Sequence, residues 1–218
     1  MDSDQKIIEA LESLYAAVVA DVLDSQGFRN QILSSNILAL TPNQRVCGRV
    51  YTAKMVTVSE VPAEPYKLEM EAIDQMQKGD VFLIDAGYDK TSGVWGELLT
   101  TACLYKGVRG VVMTACCRDM WAINEMNFPV FGIGYHPGDS AGRSDIIEIG
   151  KEIELDGVKA NCGDYIIVDE DGGVIIPSNV IDETLRLAQE KVSGENTVRD
   201  ELLAGASLAE VFKKHGIL

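Results

Sequence analysis

Three side chains in one stretch of the sequence could take part in catalysis: Glu97, Arg118 and Asp119. A lone carboxylate with open positions suits a hard cation such as Mg²⁺, which keeps several waters and accepts substrate oxygens. A neighbouring guanidinium can hold a carboxylate or a developing enolate oxygen. Glu97 follows Gly96 at a predicted helix start, whose free N–H groups can bind an anionic substrate. Structural roles stay open as well. Glu97 can be a carboxylate that the helix dipole favours, Asp119 can cap its helix, and Arg118 can be a surface group.

Two predicted strands and the helix between them would position these side chains. The strand Asp80–Asp85 precedes a helix that begins at Gly96, and a second strand covers Gly110–Thr114. Strands joined by one helix are expected to be parallel, with a right-handed crossover, so that both end at the same edge of the sheet. The helix start then lies beside Arg118 and Asp119, where open α/β sheets tend to bind ligands.

The thiols next to this pair offer an alternative chemistry. Cys116 and Cys117 directly precede Arg118, but a nucleophilic thiol needs a base, and the two histidines are His136 and His215. We favour packing at the strand end over a Cys–His mechanism. The five cysteines are odd in number and show no zinc or CxxC spacing, which indicates reduced thiols. P-loop and GxGxxG motifs are absent from the sequence.

Composition narrows the class of protein. The 218 residues are 46% hydrophobic and carry a formal net charge of −15, typical of a globular chain with an acidic surface. Such a surface repels phosphate backbones, so we expect no nucleic-acid partner. The start MDSDQK does not resemble a signal peptide, and no apolar run is long enough to span a membrane. We therefore expect a cytoplasmic protein without membrane contact.

The remaining elements surround a β core. Hydrophobic periodicity and turn signals predict N-terminal helices over about 3–25 and C-terminal helices over about 179–215, the latter interrupted at Gly205. Between them we expect a strand at Val46–Val58, helices at Tyr66–Gln77 and Met120–Met126, a strand at Pro129–Ile133, and hairpins around Asp156-Gly157 and Asp169–Gly173.

At this point a resemblance can be stated. The stretch WGELLTTACLYKGVRGVVMTACCRD, followed by FPVFGIGYHPGDSAGR, resembles the RraA-like family, and the likeness covers roughly Ala17 to Pro177. That family contains class II aldolases of 4-hydroxy-4-methyl-2-oxoglutarate and 4-carboxy-4-hydroxy-2-oxoadipate, and regulators of ribonuclease E activity. The resemblance implies an α/β fold, a swivelling β/β/α domain with a mixed β core flanked by helices. It also implies one such domain over residues 1–218 and assembly as a homotrimer or homohexamer.

The resemblance implies roles for particular residues. Asp119 matches the carboxylate ligand of Mg²⁺ or Mn²⁺, Arg118 the arginine that binds pyruvate and its enolate, and Glu97 the acid that holds a metal-bound water. The amides near Leu98 and Leu99 match contacts to the substrate carboxylate, and Gly96 would let the ligand approach the backbone.

One further glutamate, supplied by a neighbouring subunit, is part of the family pattern. Glu195 is its match here. It follows a predicted helix end near Val192 and a break at Ser193-Gly194, from which the segment could reach across to a neighbour. The alternative is a helix-start glutamate that the dipole favours.

These inferences predict a divalent-metal-dependent lyase acting on 2-oxo acids through a pyruvate enolate. Retro-aldol cleavage of 4-hydroxy-2-oxo acids and decarboxylation of oxaloacetate share that intermediate, so one site could perform both. The alternative is a non-enzymatic regulator that binds an RNA-processing enzyme.

Overall fold

The computed structural model describes residues 3–42 and 45–217 as helices packed on one large sheet and a small hairpin. The helices are α1 (Ser3–Glu12), α2 (Ala16–Ser25), α3 (Lys67–Gln75), α4 (Glu97–Lys106), α5 (Met120–Met126), α6 (Ile181–Leu203) and α7 (Leu208–His215). The strands are β1 (Leu38–Ala39), β2 (Val46–Thr57), β3 (Asp80–Trp95), β4 (Gly110–Cys117), β5 (Val130–Gly132), β6 (Gly134–Tyr135), β7 (Ser144–Ile149), β8 (Ile153–Leu155), β9 (Val158–Ala160), β10 (Tyr165–Asp169) and β11 (Gly172–Ile176).

The large sheet is mixed, as predicted. Its order is β1-β5-β4-β3-β2-β10-β11, with β6 added to β4 and β7 added to β2. The centre is parallel, because β3 pairs in parallel with both β2 and β4, whereas β10 and β11 pair antiparallel. The two strands that flank α4 are therefore parallel, as predicted. The chain has the α/β fold expected from its sequence.

Two groups of helices cover the sheet. One core packs α1, α2 and α6 against β10 and β11, and another packs side chains of β2, β3 and β4 with those of α3, α4 and α5. In the second core the Trp95 ring is completely buried and stacks on Phe128, with ring centroids 6.1 Å apart. The Trp95 indole N–H also donates to Thr100 Oγ1 at 2.9 Å, which ties the end of β3 to the first turns of α4.

The largest errors in the predicted boundaries are at β3 and α6. β3 does not end at Asp85 but continues to Trp95. Its pairing with β4 shifts register between Ile84 and Trp95. α6 does not stop near Val192 but runs through Ser193 and Gly194 to Leu203. A helix-interior glycine costs only about 1 kcal/mol, and α6 recovers this by burying Val198 in its later turns.

Other boundaries agree with the sequence. α5 has the predicted limits, and Gly107 ends α4 in the left-handed region at φ 76°. Gly205 separates α6 from α7 with φ 94°, as predicted. Within residues 3–42 and 45–217, no helix combines the length and apolar character needed to cross a membrane.

Candidate active site

The candidate site forms where β3 and β4 end side by side. Trp95 and Cys117 are register partners, and the Arg118 N–H donates to the Trp95 carbonyl at 2.8 Å. Gly96 and Arg118, which follow these two partners, both belong to the site. The register of the sheet therefore sets the distance between the two segments. The Glu97 N–H at the start of α4 donates to Asp119 Oδ2 at 3.2 Å. The sheet edge thus brings Glu97, Arg118 and Asp119 together, as the parallel crossover predicts.

Asp119 does not use its side chain to cap α5. It occupies the N-cap position but has left-handed backbone angles, φ 57° and ψ 30°, and makes no side-chain capping hydrogen bond. A non-glycine residue adopts this conformation at a cost of roughly 1–2 kcal/mol. The conformation directs the carboxylate towards α4, where it accepts the Glu97 N–H, so Asp119 does not cap its own helix.

Two glycines make room for the charged pair. A Cβ on Gly96 would lie 2.7 Å from Asp119 Oδ2 and 3.3 Å from Arg118 Cγ. A Cβ on Gly93 would lie 2.9 Å from Arg118 Cβ and still closer to the His136 carbonyl. The contacts at 2.7 Å and 2.9 Å are too short for a Cβ. Close approach therefore favours glycine at both positions, whereas the extended φ of Gly96 does not require it.

Arg118 lies between two carboxylates. Its Nη1 is 3.0 Å from Asp139 Oδ1, and its Nε is 3.7 Å from Asp119 Oδ2. The other oxygen of Asp139 accepts a hydrogen bond from the Tyr66 hydroxyl. That hydrogen bond, with burial, raises the pKa of Tyr66 to about 12, and the same bond, with Arg118, lowers the pKa of Asp139. Tyr66 and Asp139 therefore fix one side of the guanidinium.

A buried acid lies behind this network. Glu69 on α3 is 5% exposed, and its Oε1 has no hydrogen-bond partner among the described residues. Burial first, and then the charges of Asp139 and Asp145, raise the pKa of Glu69 to about 8, although Arg118 acts in the opposite direction. Glu69 is thus much harder to ionise than an exposed glutamate.

An open cleft of about 430 Å³ extends from the charged pair. Its lining is mostly apolar or uncharged, and its charged members are Arg118 and Asp119. The other residues along it are Leu40, Cys117, Met120, Trp121, Asn124, Tyr135, His136 and Pro137. A site with one polar end and an apolar remainder is suited to a small amphipathic ligand.

The donor set for a metal is a single carboxylate. The contacts of Asp119 with Glu97 and Arg118 both use Oδ2, which leaves Oδ1 for a ligand. Across the described residues, no group of three or more His, Cys, Asp or Glu side chains is placed to hold a metal ion. Such a site fits Mg²⁺ or Mn²⁺ carried mainly by water and substrate oxygens, and does not fit a dehydrated cation held by protein alone.

The thiols beside the site are packing groups. Cys116 and Cys117 are buried, and burial raises the pKa of both, that of Cys117 to about 12. His136 Nδ1 accepts the Gly138 N–H at 3.0 Å, so that nitrogen is already engaged. Neither thiol has the thiolate character that a nucleophile requires, which supports the packing interpretation.

The remaining candidates are placed as follows. Leu98 and Leu99 lie in the first turn of α4, whose N–H groups have no carbonyl partner within the helix. Leu98 is 81% exposed there. Glu195 lies within α6, where it accepts a hydrogen bond from the Tyr15 hydroxyl of the same chain, and it does not line the cleft. The predicted chain break before Glu195 is wrong, and its role in a neighbouring site stays a prediction.

Sequence reasoning missed Tyr66, Glu69 and Asp139. Asp139 lies within the quoted stretch FPVFGIGYHPGDSAGR, yet nothing local indicates that it faces Arg118. Glu69 carries a clearer signal, because it shares the buried face of α3 with Ala72 and Ile73. A carboxylate at a core position of a helix is unusual and could have been singled out.

Fold and site together define an α/β protein with a carboxylate–guanidinium cleft at the carboxyl edge of its parallel strands. The family model described as "RraA-like: Aldolase/RraA" matches residues 16–175. The chain belongs to the RraA-like family.

Individual relatives are distant. A Halalkalibacterium halodurans protein named "Putative 4-hydroxy-4-methyl-2-oxoglutarate aldolase" is 27% identical over 201 residues, covering 90% of each chain. Protein DlpA of Legionella pneumophila is 25% identical over 96% of this chain, which spans only 34% of that protein's length. The crystal structure of Streptomyces coelicolor RraAS2, described as an unusual member of the RNase ES inhibitor RraA family, superposes with a TM-score of 0.81. That match has 22% identity and covers 91% of this chain and 98% of the other, and it shows a shared fold.

Proposed function

We propose that the protein is a divalent-metal-dependent lyase that cleaves 2-oxo acids through a pyruvate enolate. Its reactions would be retro-aldol cleavage of 4-hydroxy-2-oxo acids, decarboxylation of oxaloacetate, or both. The observation that carries the proposal is the convergence of Arg118, Asp119 and the first turn of α4, with Glu97 N–H only 3.2 Å from Asp119 Oδ2. Aldolase names among the relatives support the same class of reaction.

Each group has a distinct task in this proposal. The free N–H groups of Leu98 and Leu99 bind the substrate carboxylate at the positive end of α4. Arg118, held by Asp139, donates to the 2-oxo oxygen as negative charge develops there, which lowers the barrier to the enolate. Glu97, half-buried in the first turn of α4, holds a water that carries a proton to or from the reacting carbons.

Asp119 would hold the metal through Oδ1. When bound, Mg²⁺ or Mn²⁺ supplies a Lewis acid for the 2-oxo acid. Because the chain offers one carboxylate, we expect weak binding that a chelator reverses. Arg118 and the α4 amides would orient the substrate.

A substrate screen tests the proposal. The protein would be incubated with oxaloacetate and a panel of 4-hydroxy-2-oxo acids in the presence of Mg²⁺ or Mn²⁺, with pyruvate detected as product. Pyruvate formation that is lost in Asp119→Asn supports the proposal, and the matched variant Asp200→Asn, at an exposed position of α6, controls for removal of a charge elsewhere. No pyruvate from any compound, with correctly folded protein, would contradict it.

The regulator hypothesis makes a different prediction. Tight association with a ribonuclease, without metal-dependent turnover, would favour it over the lyase. The Asp119→Asn variant separates the two, because a surface-binding regulator does not need the carboxylate within the cleft.

A further inference from the structure

We propose that the physiological substrate carries an uncharged, apolar group on its 4-carbon, so that the protein releases a neutral aldehyde or ketone together with pyruvate. This inference rests on the proposed function and narrows its substrate class. A dicarboxylate, such as 4-hydroxy-2-oxoglutarate, would be the poorer substrate.

The cleft offers few positive charges to a substrate. Arg118 is the only lysine or arginine among the described residues that line it. Its Nη1 is occupied by Asp139 at 3.0 Å, and its Nε faces Asp119 at 3.7 Å. The pyruvyl end of the substrate takes the donors that remain. Arg143, next to the cleft at Gly138, already donates to the Asp139 carbonyl at 2.8 Å, so a second carboxylate would enter beside Asp119 without a lysine or arginine in the lining to pair with it.

The histidine in the cleft already has one ring nitrogen engaged. His136 Nδ1 accepts a hydrogen bond from the Gly138 N–H at 3.0 Å, which leaves Nε2 for a ligand. His136 can donate a hydrogen bond to a hydroxyl or carbonyl oxygen, and the Asn124 amide along the same cleft can do the same.

The rest of the wall is apolar. Trp121 and Tyr135 are 71% and 61% exposed, whereas Trp95, the other tryptophan, is fully buried. Tyr135 is fixed to the wall because its hydroxyl donates to the Leu40 carbonyl at 3.2 Å, and the Leu40 side chain is nearly buried beneath it. Exposed aromatic rings around a cleft provide favourable contact for an apolar group.

The reaction then balances without a co-reactant. The 4-hydroxyl loses its proton to the water beside Glu97, and the C4–O bond becomes a carbonyl. The C3–C4 bond breaks, and its electron pair forms the C2–C3 double bond of the enolate, whose oxygen faces Arg118. One proton returns to C3, so the products are pyruvate and an uncharged carbonyl compound that leaves along the apolar wall.

The test compares matched substrates. Retro-aldol kcat/KM would be measured with Mn²⁺ for 4-hydroxy-2-oxo acids that carry methyl, propyl or phenyl groups, and for 4-hydroxy-2-oxoglutarate. We expect the best neutral compound to exceed the dicarboxylate by roughly tenfold or more, which is the discrimination that pocket contacts usually provide. Asn124→Lys would place a cation in the cleft and move the ratio towards the dicarboxylate. Glu125→Gln changes the net charge equally at the adjacent position outside the cleft, and should leave the ratio unchanged.

The outcomes separate the two proposals. Equal or greater efficiency with the dicarboxylate, as would follow if a neighbouring copy brought a cation into the cleft, overturns this inference and leaves the lyase standing. Decarboxylation of oxaloacetate without cleavage of any neutral hydroxy acid also overturns it. Pyruvate from no compound, oxaloacetate included, overturns the proposed function and this inference with it.

Discussion

At the scale of single residues, the site depends on how firmly Arg118 is held. A guanidinium between Asp119 and Asp139 has a fixed plane, and the Tyr66 hydroxyl fixes Asp139 in turn. Arg118 is the group that we expect to touch the reacting oxygen, whereas Tyr66 and Asp139 act through it. This arrangement distinguishes a positioned donor from an ordinary surface ion pair, which contributes little.

Tyr66→Phe tests that chain of contacts. The variant removes one hydroxyl that donates to Asp139, so Arg118 loses part of its support while the fold keeps its packing. We expect kcat for pyruvate formation to fall roughly tenfold, equivalent to about 1.4 kcal/mol, with weaker binding of oxalate as an enolate analogue. Tyr88→Phe is the control, because Tyr88 also donates to an aspartate, Asp156, at the β8–β9 turn. Equal effects of the two variants would count against a positioning role.

The buried Glu69 is expected to make the stability of the fold depend on pH. Its pKa is raised to about 8 in the folded protein, from an ordinary value of 4.5. The folded state therefore binds this proton more tightly, so its contribution to stability is complete below pH 4.5 and is lost as pH rises to about 8. The loss is on the order of a few kcal/mol. Glu69→Gln should flatten this decline and stabilise the protein near pH 8.

The measurement is the free energy of unfolding by urea at about pH 5 and about pH 8. Glu71→Gln, an exposed position on the same helix, is the control and should follow the wild type. If Glu69→Gln and wild type lose stability in parallel between these pH values, Glu69 does not carry the raised pKa.

At the scale of elements, the junction between β3 and α4 determines how closely Asp119 approaches the start of α4. Gly96→Ala would place a Cβ 2.7 Å from Asp119 Oδ2, although the extended backbone there, with φ −150°, accepts any residue. We expect a folded protein with Asp119 displaced, and turnover reduced about 100-fold, as for loss of a group that stabilises the transition state. Gly194→Ala in α6 is the control, because its Cβ would meet only the terminal methyl of Ile217. Full activity of Gly96→Ala would show that the close approach is unimportant.

The same junction shows how far sequence reasoning reaches. The apolar strands, the glycine at the end of α4 and the rule for parallel crossovers are sufficient to predict that Glu97 meets Asp119. They could not predict that β3 continues to Trp95, since its irregular pairing with β4 depends on contacts across the sheet. They also missed Tyr66 and Asp139, which come from two segments 73 residues apart and meet only in the tertiary structure.

α6 illustrates the opposite error. Ser193-Gly194 indicates a break by local propensity, yet burial of Val198 outweighs the cost of one glycine within the helix. Glu195 therefore lies on a continuous helix, with its carboxylate on Tyr15. Burial, followed by the hydrogen bond to Glu195, raises the pKa of Tyr15 to about 12. A contribution of Glu195 to a neighbouring site would require this contact to change or to coexist with the interface.

At the scale of the whole molecule, the shared-site hypothesis can be tested by mixing. Glu195→Ala and Asp119→Ala homomers should both be nearly inactive if each site uses both residues from different subunits. Co-refolded mixtures should regain activity, because some interfaces then pair an intact Asp119 with an intact Glu195. Native mass spectrometry would confirm that the oligomers contain both chains. No recovery in such oligomers would return Glu195 to a structural role beside Tyr15.

The central claim is that Asp119 and Arg118 hold a divalent metal and a 2-oxo acid together. The most direct measurement is the initial rate of pyruvate formation from the best substrate of the screen, oxaloacetate or a 4-hydroxy-2-oxo acid, before and after exhaustive chelation and after addition of Mn²⁺. With one protein carboxylate as ligand, the metal should leave readily, so the enzyme-dependent rate should fall to background with EDTA and return with Mn²⁺. Asp119→Asn should stay at background under all three conditions. Full activity of the wild type after exhaustive chelation, or of Asp119→Asn with Mn²⁺, would contradict the account.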